Sequence, residues 1–361
     1  MDFMTGSTSQ SLEKLTDKYI NSFGVLERFK NFISDDGSLD KEILKLSNSL
    51  GIRDLDCPIN PKVSDENLGR IYFELGYVDA NLRESVGLGH ARLISKLHCE
   101  KLRNHYLETI VNDGLLCGIA LTEEHKGGDF RQCNSSYSVV SGGYIINFRK
   151  TYVARVSESD LFIILARDGD KVSLFLVPIE KIKVTNIFDA PGLKGWSFGE
   201  ISGSNIFIPQ NHIIGNEGDG IECFNDHFSR WRILMVLLSL GGLQRCYDKA
   251  LYHAKGRNIR GRKLISNLSV KKRLSKSIYI INSIYSSSID ILSRDYDQSY
   301  YFDACALKSN AIDDIISCIL DLMDIIGVRS YIDPEFIACL HNTIGFKFAD
   351  GPSDTLDNAI Y

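Results

Sequence analysis

Between Gly220 and Pro334 the chain contains no proline, and apolar residues return there every three or four positions in the blocks Ile233 to Leu251, Leu274 to Leu292 and Ala304 to Ile326. Proline removes a backbone donor and clashes with the preceding turn, so a long helical pattern free of it predicts several long helices. Such helices bury their apolar faces against one another, which predicts a closing helical bundle. The rest of the chain must be arranged around it.

Upstream the texture is different. From Gly114 onward, short β-rich runs alternate with turns: Tyr137 to Val140, Tyr144 to Phe148, Leu161 to Ala166, Val172 to Pro178 and Asn205 to Pro209, separated by Gly142-Gly143 and Asp168-Gly169-Asp170. Strands ~8–12 residues apart with Gly and Asp between them predict an antiparallel barrel or sandwich, not βαβ units and not a Rossmann fold. Before Gly114 the helical period returns, in Leu12, Leu15 and Tyr19, in Leu39, Ile43, Leu46 and Leu50 before Gly51, and again from Glu66. The expected architecture is mainly α with a central β domain: a helical domain over 1–115, an antiparallel β-barrel or sandwich over 116–216 and a four-helix bundle over 217–361.

Several function classes are excluded by what is missing. A net charge of −5 with dispersed basic residues lacks the footprint of a nucleic-acid binder. The longest uninterrupted apolar runs, such as Ile233 to Leu238, are far short of the ~18 residues that span a bilayer. Glu13, Asp17 and Glu27 interrupt the first thirty residues, where no secretory or transit signal is seen, so the expected address is cytoplasmic. Nine scattered cysteines without a CxxC pair predict reduced, mostly buried thiols and no zinc site, and the eight histidines show no HExxH spacing.

Weak motifs then occur in a fixed order. Phe73 to Ala80 reads F-E-L-G-Y-V-D-A; Ala120 to Asp129 reads A-L-T-E-E-H-K-G-G-D; Gly143 to Asn147 leads to Lys150-Thr151-Tyr152-Val153-Ala154. Arg232 to Arg257 holds an arginine at each end, Asp324-Ile325-Ile326-Gly327 follows, and Phe348-Ala349-Asp350-Gly351 lies near the C-terminus. A threonine hydroxyl and neighbouring backbone N–H groups are hydrogen-bond donors, and glycines let the backbone approach a ligand closely. Taken singly, the first loop reads as a solvated turn, Tyr152 as a strand aromatic in the core, Arg257 with Arg260, Arg262 and Lys263 as a solvated basic turn, and Asp350-Gly351 as a turn before a last helix.

Taken in order, from about Phe73 to the end, the series resembles the acyl-CoA dehydrogenase family of flavoproteins. The resemblance implies FAD as cofactor, held by Leu121, Thr122, Gly127, Gly128, Tyr152, Ala154, Arg257, Asp324, Gly327 and Asp354, with Arg257 reaching a pyrophosphate of a neighbouring subunit. A homodimer or homotetramer is therefore implied. Departures from the family pattern are Gly128 for Ser, Tyr152 for Trp, Ala154 for Thr, Arg260 for Phe, and Asp324 and Val328 in the "Q-x-x-G-G" run.

Asp350 matches the family's catalytic carboxylate, one methylene shorter than its Glu. A thioester α-proton is weakly acidic, and a carboxylate in a dry pocket has the raised pKa needed to take it. Some members carry the base just before the arginine matching Arg232, but Trp231 stands there. Gly128, Trp231 and Arg232 are the implied substrate contacts. Eleven residues follow Asp350 where the family commonly continues through a helix that contacts the nucleotide of CoA, which points to a pantetheine-linked carrier protein rather than free CoA. The implied reaction is α,β-dehydrogenation of an acyl thioester on CoA or an acyl-carrier protein, with electron-transfer flavoprotein or O2 as acceptor. Two further readings stay open: an oxidase or monooxygenase on the same scaffold, and a cofactor-free interaction protein.

Overall fold

The structure, a computed structural model, describes residues 40–124, 130–195 and 197–360. The expected first helix at Leu12 to Tyr19, together with Gly127 and Gly128, lies outside them. Helices α1 (Glu42–Ser49), α2 (Asp65–Asp79) and α3 (Glu100–Asn112) come first. Ser64 caps α2 by accepting from the Asn67 N–H, and Asp65 and Glu66 favour the positive end of its dipole.

Eight strands follow: β1 (Cys117–Ala120), β2 (Ser136–Val140), β3 (Gly143–Ala154), β4 (Leu161–Asp168), β5 (Lys171–Pro178), β6 (Lys183–Phe188), β7 (Phe198–Pro209) and β8 (Ile213–Ile214). They form one sheet in the order β6-β7-β3-β2-β4-β5-β8, with β1 added beside β4. Most pairs are antiparallel. β1 runs parallel to β4, however, and hairpin spacing could not signal that pairing because a parallel neighbour needs a long crossover. Leu161 to Ala166 on β4 are all buried because both faces are covered. Leu161, Ile163 and Leu165 join the helical core, while Phe162, Ile164 and Ala166 join a second core with Tyr144, Phe148 and Phe175.

The remaining helices are α4 (Gly220–Gly256), α5 (Leu268–Leu292), α6 (Gln298–Ile326), α7 (Val328–Ile332), α8 (Pro334–Phe348) and α9 (Ser353–Ile360), with a small hairpin, β9 (Asn258–Ile259) and β10 (Arg262–Lys263), after α4. Helix α4, 37 residues long, spans roughly 55 Å and is buried on every side from Phe228 to Leu243, as the central rod of the bundle must be. Helix α2 crosses it at glycine contacts. A Cβ on Gly76 would sit 1.9 Å from the Leu238 carbonyl oxygen, and one on Gly241 1.9 Å from that of Phe73. Only glycine permits so close a backbone approach.

Candidate active site

Between the sheet and the bundle lies a cleft of about 1620 Å³. Pockets for single small ligands hold roughly 300–1,000 Å³, so this one has room for more than one. Leu121, Thr122, Tyr152 and Ala154 line it from the sheet side, and Trp231, Arg232 and Asp350 from the bundle.

The sheet wall is built from the bottom. Lys150 is buried and donates to Glu123 Oε1 at 2.7 Å and to the Leu121 carbonyl at 3.0 Å. Glu123 also accepts from the backbone N–H groups of Asn134 and Ser135 and from the Ser135 hydroxyl. Burial alone would raise its pKa, but Lys150 and these donors outweigh that and hold it below the usual range. The Thr151 N–H donates to the Thr122 carbonyl at 3.0 Å, so two segments nearly thirty residues apart in the chain are tied side by side. Between Lys150 and Val153 the register of β3 against β7 shifts, and Tyr152 takes φ 53° and is 66% exposed. The irregularity turns the ring outward, as bulges near active sites do, and it rests against Phe188 with centroids 5.4 Å apart.

The bundle wall carries the acid. Asp350 and Gly351 join α8 to α9 in consecutive left-handed conformations, φ 59° and 105°. Two buried cations hold that turn: Arg232 Nε donates to the Asp350 carbonyl at 2.8 Å, while Lys308 Nζ donates to the Lys347 carbonyl at 3.1 Å and to that of Gly351. The Asp350 carboxyl is pushed above the usual range by burial, against the partial opposition of Lys308, Arg155, Arg232 and Arg83. Burial in turn pulls Lys308 down to about 8. Strain concentrates here. Of six non-glycine residues with positive φ among the described residues, Tyr152, Arg155, Leu193 and Asp350 line the cleft.

The other residues singled out by motif fall elsewhere. Asp354 is exposed on the first turn of α9 and does not line the cleft. Arg257 and Gly327 are exposed on the outside of the bundle, and the Asp324 carboxylate is bonded to Arg273 Nη2 at 2.9 Å. None of these three meets the cleft of its own chain. Motif reading also missed residues. Lys308 had a signal, since it falls on the buried stripe Ala304, Lys308, Ala311, Ile315 of α6, where a lysine must have a reason. Arg155 and Glu84, an ion pair buried beside the cleft, and His90, in its wall, had none, because their partners lie 71 and 137 positions away.

Among the described residues there is no cluster of three His, Cys, Asp or Glu side chains that could hold a metal, and no helix long and apolar enough to cross a membrane.

A sheet and a helical bundle facing one another across a cleft, with a carboxylate on the bundle side, define the helical–β–helical class to which flavin-dependent thioester dehydrogenases belong. The chain belongs to the acyl-CoA dehydrogenase family: residues 118–206 match its middle domain and residues 218–361 its C-terminal domain. It is 32% identical over 183 residues, 48% of this chain and 47% of the relative, to the L-prolyl-[peptidyl-carrier protein] dehydrogenase of a Serratia species. It is 25% identical over 193 residues, 52% of this chain and 49% of the relative, to the benzylmalonyl-CoA dehydrogenase of Aromatoleum aromaticum. These matches thus span about half the length of the relatives. Among solved structures, "FAD complex of PigA" superimposes with a TM-score of 0.86 at 21% identity, covering 100% of this chain and 98% of that one. Butyryl-CoA dehydrogenase from Megasphaera elsdenii does so at 0.85 and 17%, with the same coverage. Likenesses at these identities speak to the fold.

Proposed function

We propose that this protein is an FAD-dependent oxidoreductase that removes hydrogens from the α and β carbons of an acyl thioester. The observation that carries the reading is the Asp350 carboxyl, raised by burial and aimed by a strained turn that Arg232 and Lys308 clamp, in a cleft with space for a second ligand. The sheet wall fits an isoalloxazine ring: Leu121 backbone held by Lys150 and Thr122 backbone by the Thr151 N–H, the Tyr152 ring turned out by the β3 irregularity, and small Ala154 beside it. When bound, FAD supplies the acceptor for the β-hydride.

The chain's own residues do the rest. Asp350 takes the α-proton, and its raised pKa moves it closer to matching that weak acid than an exposed carboxylate would be. Phe224, Phe228 and Trp231 give the cleft an apolar wall, and charge interactions beside such a wall are stronger than in bulk water. Arg232 acts through the turn as a positioning residue, because its Nε is spent on the Asp350 carbonyl.

Arg257, Asp324 and Gly327 complete the cofactor site from a second copy, which makes the working unit a homo-oligomer. Beside Gly327, Val328, Tyr331 and Ile332 of α7 are between 75 and 82% exposed, an apolar face that such a contact would cover. The substrate is carried on a pantetheine arm, and a carrier protein is favoured over CoA by the relative named for a peptidyl-carrier substrate. Reconstitution with FAD followed by anaerobic addition of acyl-CoA and acyl-carrier thioesters tests the reading. Bleaching of the yellow absorbance by at least one thioester is expected, and Asp350→Asn should suppress it; a colourless protein, or bleaching untouched by the substitution, counts against it.

A further inference from the structure

Two histidines stand in or behind the cleft wall without a task in the reaction above. His90, in the 3₁₀ segment Gly89–Lys96, lines the cleft; His227, on α4, lies behind it, and they are 4 and 5% exposed. His90 Nδ1 and His227 Nε2 are 2.9 Å apart, close enough that one ring nitrogen donates its proton to the other. The His90 ring stacks on Phe228, centroids 5.3 Å apart at 25°, and Trp231 packs against both imidazoles at 4.9 and 6.2 Å. Nδ1 of His227 and Nε1 of Trp231 are buried with no hydrogen-bond partner in the protein.

An aromatic wall built for a plain alkyl chain has no use for imidazoles, since a buried polar ring costs free energy unless it is paired. The shared proton gives the pair a choice. If His90 donates through Nδ1, its Nε2 is left as an acceptor; if His227 donates, Nε2 of His90 carries the proton. The surroundings decide what charge is tolerated. Arg155 and Arg83 face His90, with Glu84 bonded to both, and Arg230, Arg92 and Lys96 face His227. Burial, reinforced by these cations, holds both imidazoles neutral and disfavours a cationic ligand group.

Resting on the thioester reading above, we propose that His90, backed by His227, accepts a hydrogen bond from an uncharged N–H or O–H on the acyl group. The substrate class is then a thioester of a heteroatom-bearing acyl group, such as a cyclic amino acid with its amine unprotonated, and not of a simple alkyl acid. His90 is a specificity-determining residue in this account.

Prolyl-pantetheine and cyclopentanecarbonyl-pantetheine differ by one N–H against one CH2. Their binding to the FAD-reconstituted protein is read from quenching of tryptophan fluorescence at about pH 8.5, above the ~7.7–8.0 of an α-amino group. Bleaching is followed in the same samples. The prolyl ester should bind roughly 10- to 100-fold more tightly to the wild type, and His90→Leu should bring the two within about threefold. Equal or tighter binding of the cyclopentanecarbonyl ester by the wild type overturns the proposal, as does a preference that survives His90→Leu. Should His90→Leu fail to fold, the wild-type ratio decides alone. A binding preference without bleaching by any thioester sinks the oxidation reading but supports this one; bleaching without a preference does the reverse, and no binding of either ester overturns this proposal while leaving the oxidation reading to its own thioester panel.

Discussion

The two ends of the proposed site are built on different terms. At the Asp350 end the acid, the Arg232 and Lys308 bonds that hold its turn, and the tryptophan in the same wall all belong to the described residues of one chain. At the other end Arg257 and Gly327 lie exposed on the bundle surface, away from the cleft, and Asp324 pairs with Arg273. Proton chemistry needs a dry, preorganised pocket, and one packed bundle can supply it. Gripping a long dinucleotide calls for reach, which under the proposed function a second copy would supply.

Substitutions at the two ends should therefore fail differently. The largest expected effect is at the acid. Asp350→Asn should slow thioester-dependent bleaching by about 10³-fold while leaving FAD bound, as measured by stopped-flow absorbance and by flavin retention on gel filtration. Arg257→Ala should do the opposite: FAD affinity falls about 10- to 100-fold by fluorescence titration, and the bleaching rate of the fully loaded protein stays within about threefold of wild type. If Arg257→Ala instead slowed bleaching while holding its flavin, the division between the two ends would be lost.

Lys308→Met sharpens the near end. The ammonium lowers the Asp350 pKa, opposing burial, so removing it raises that pKa further and moves the acid limb of the bleaching rate to higher pH. A loss of about tenfold in rate near neutrality goes with it, from the loosened turn. An unchanged pH profile with a reduced rate would reduce Lys308 to a structural part.

The smallest effect concerns the His90 and His227 pair. Their pKa values lie well below the ~6.5 of a free histidine, so below that pH the unfolded chain binds protons that the folded one refuses. Their contribution to stability is complete above about pH 6.5 and is lost as the pH falls, by up to about 1.4 kcal/mol per pH unit for each. Urea unfolding at about pH 7 and pH 5.5 should show the loss, and His90→Leu should reduce it.

The same contrast marks what the sequence could reveal. Helices α4, α5 and α6 were legible because an apolar period kept up over about 19 to 23 residues without proline has few other solutions, and it lies inside helices of 37, 25 and 29 residues. Strand β4 was legible as an apolar run between turns, but its parallel neighbour β1, four residues long, was not, since the pairing is made across 44 positions. At the site, Thr122, Tyr152, Trp231, Arg232 and Asp350 could be named from motif order, and the structure brings all five to one cleft. What holds them could not. Arg232 reaches a carbonyl 118 positions away and Lys308 one 43 positions away, and backbone carbonyls leave no mark in a sequence. Nor did local pattern announce that Tyr152 and Asp350 take left-handed conformations, where aspartate is tolerated and tyrosine is not favoured.

The central claim is that Asp350 takes the proton in the rate-determining chemistry, and the pH dependence of single-turnover bleaching under anaerobic conditions tests it most directly. For the wild type the rate should climb with pH along an acid limb centred above the ~3.9 of a free aspartate, and Asp350→Asn should abolish both the limb and at least about 99% of the rate. An Asp350→Asn protein that bleaches within about threefold of wild type along the same limb would contradict the account and place the base elsewhere.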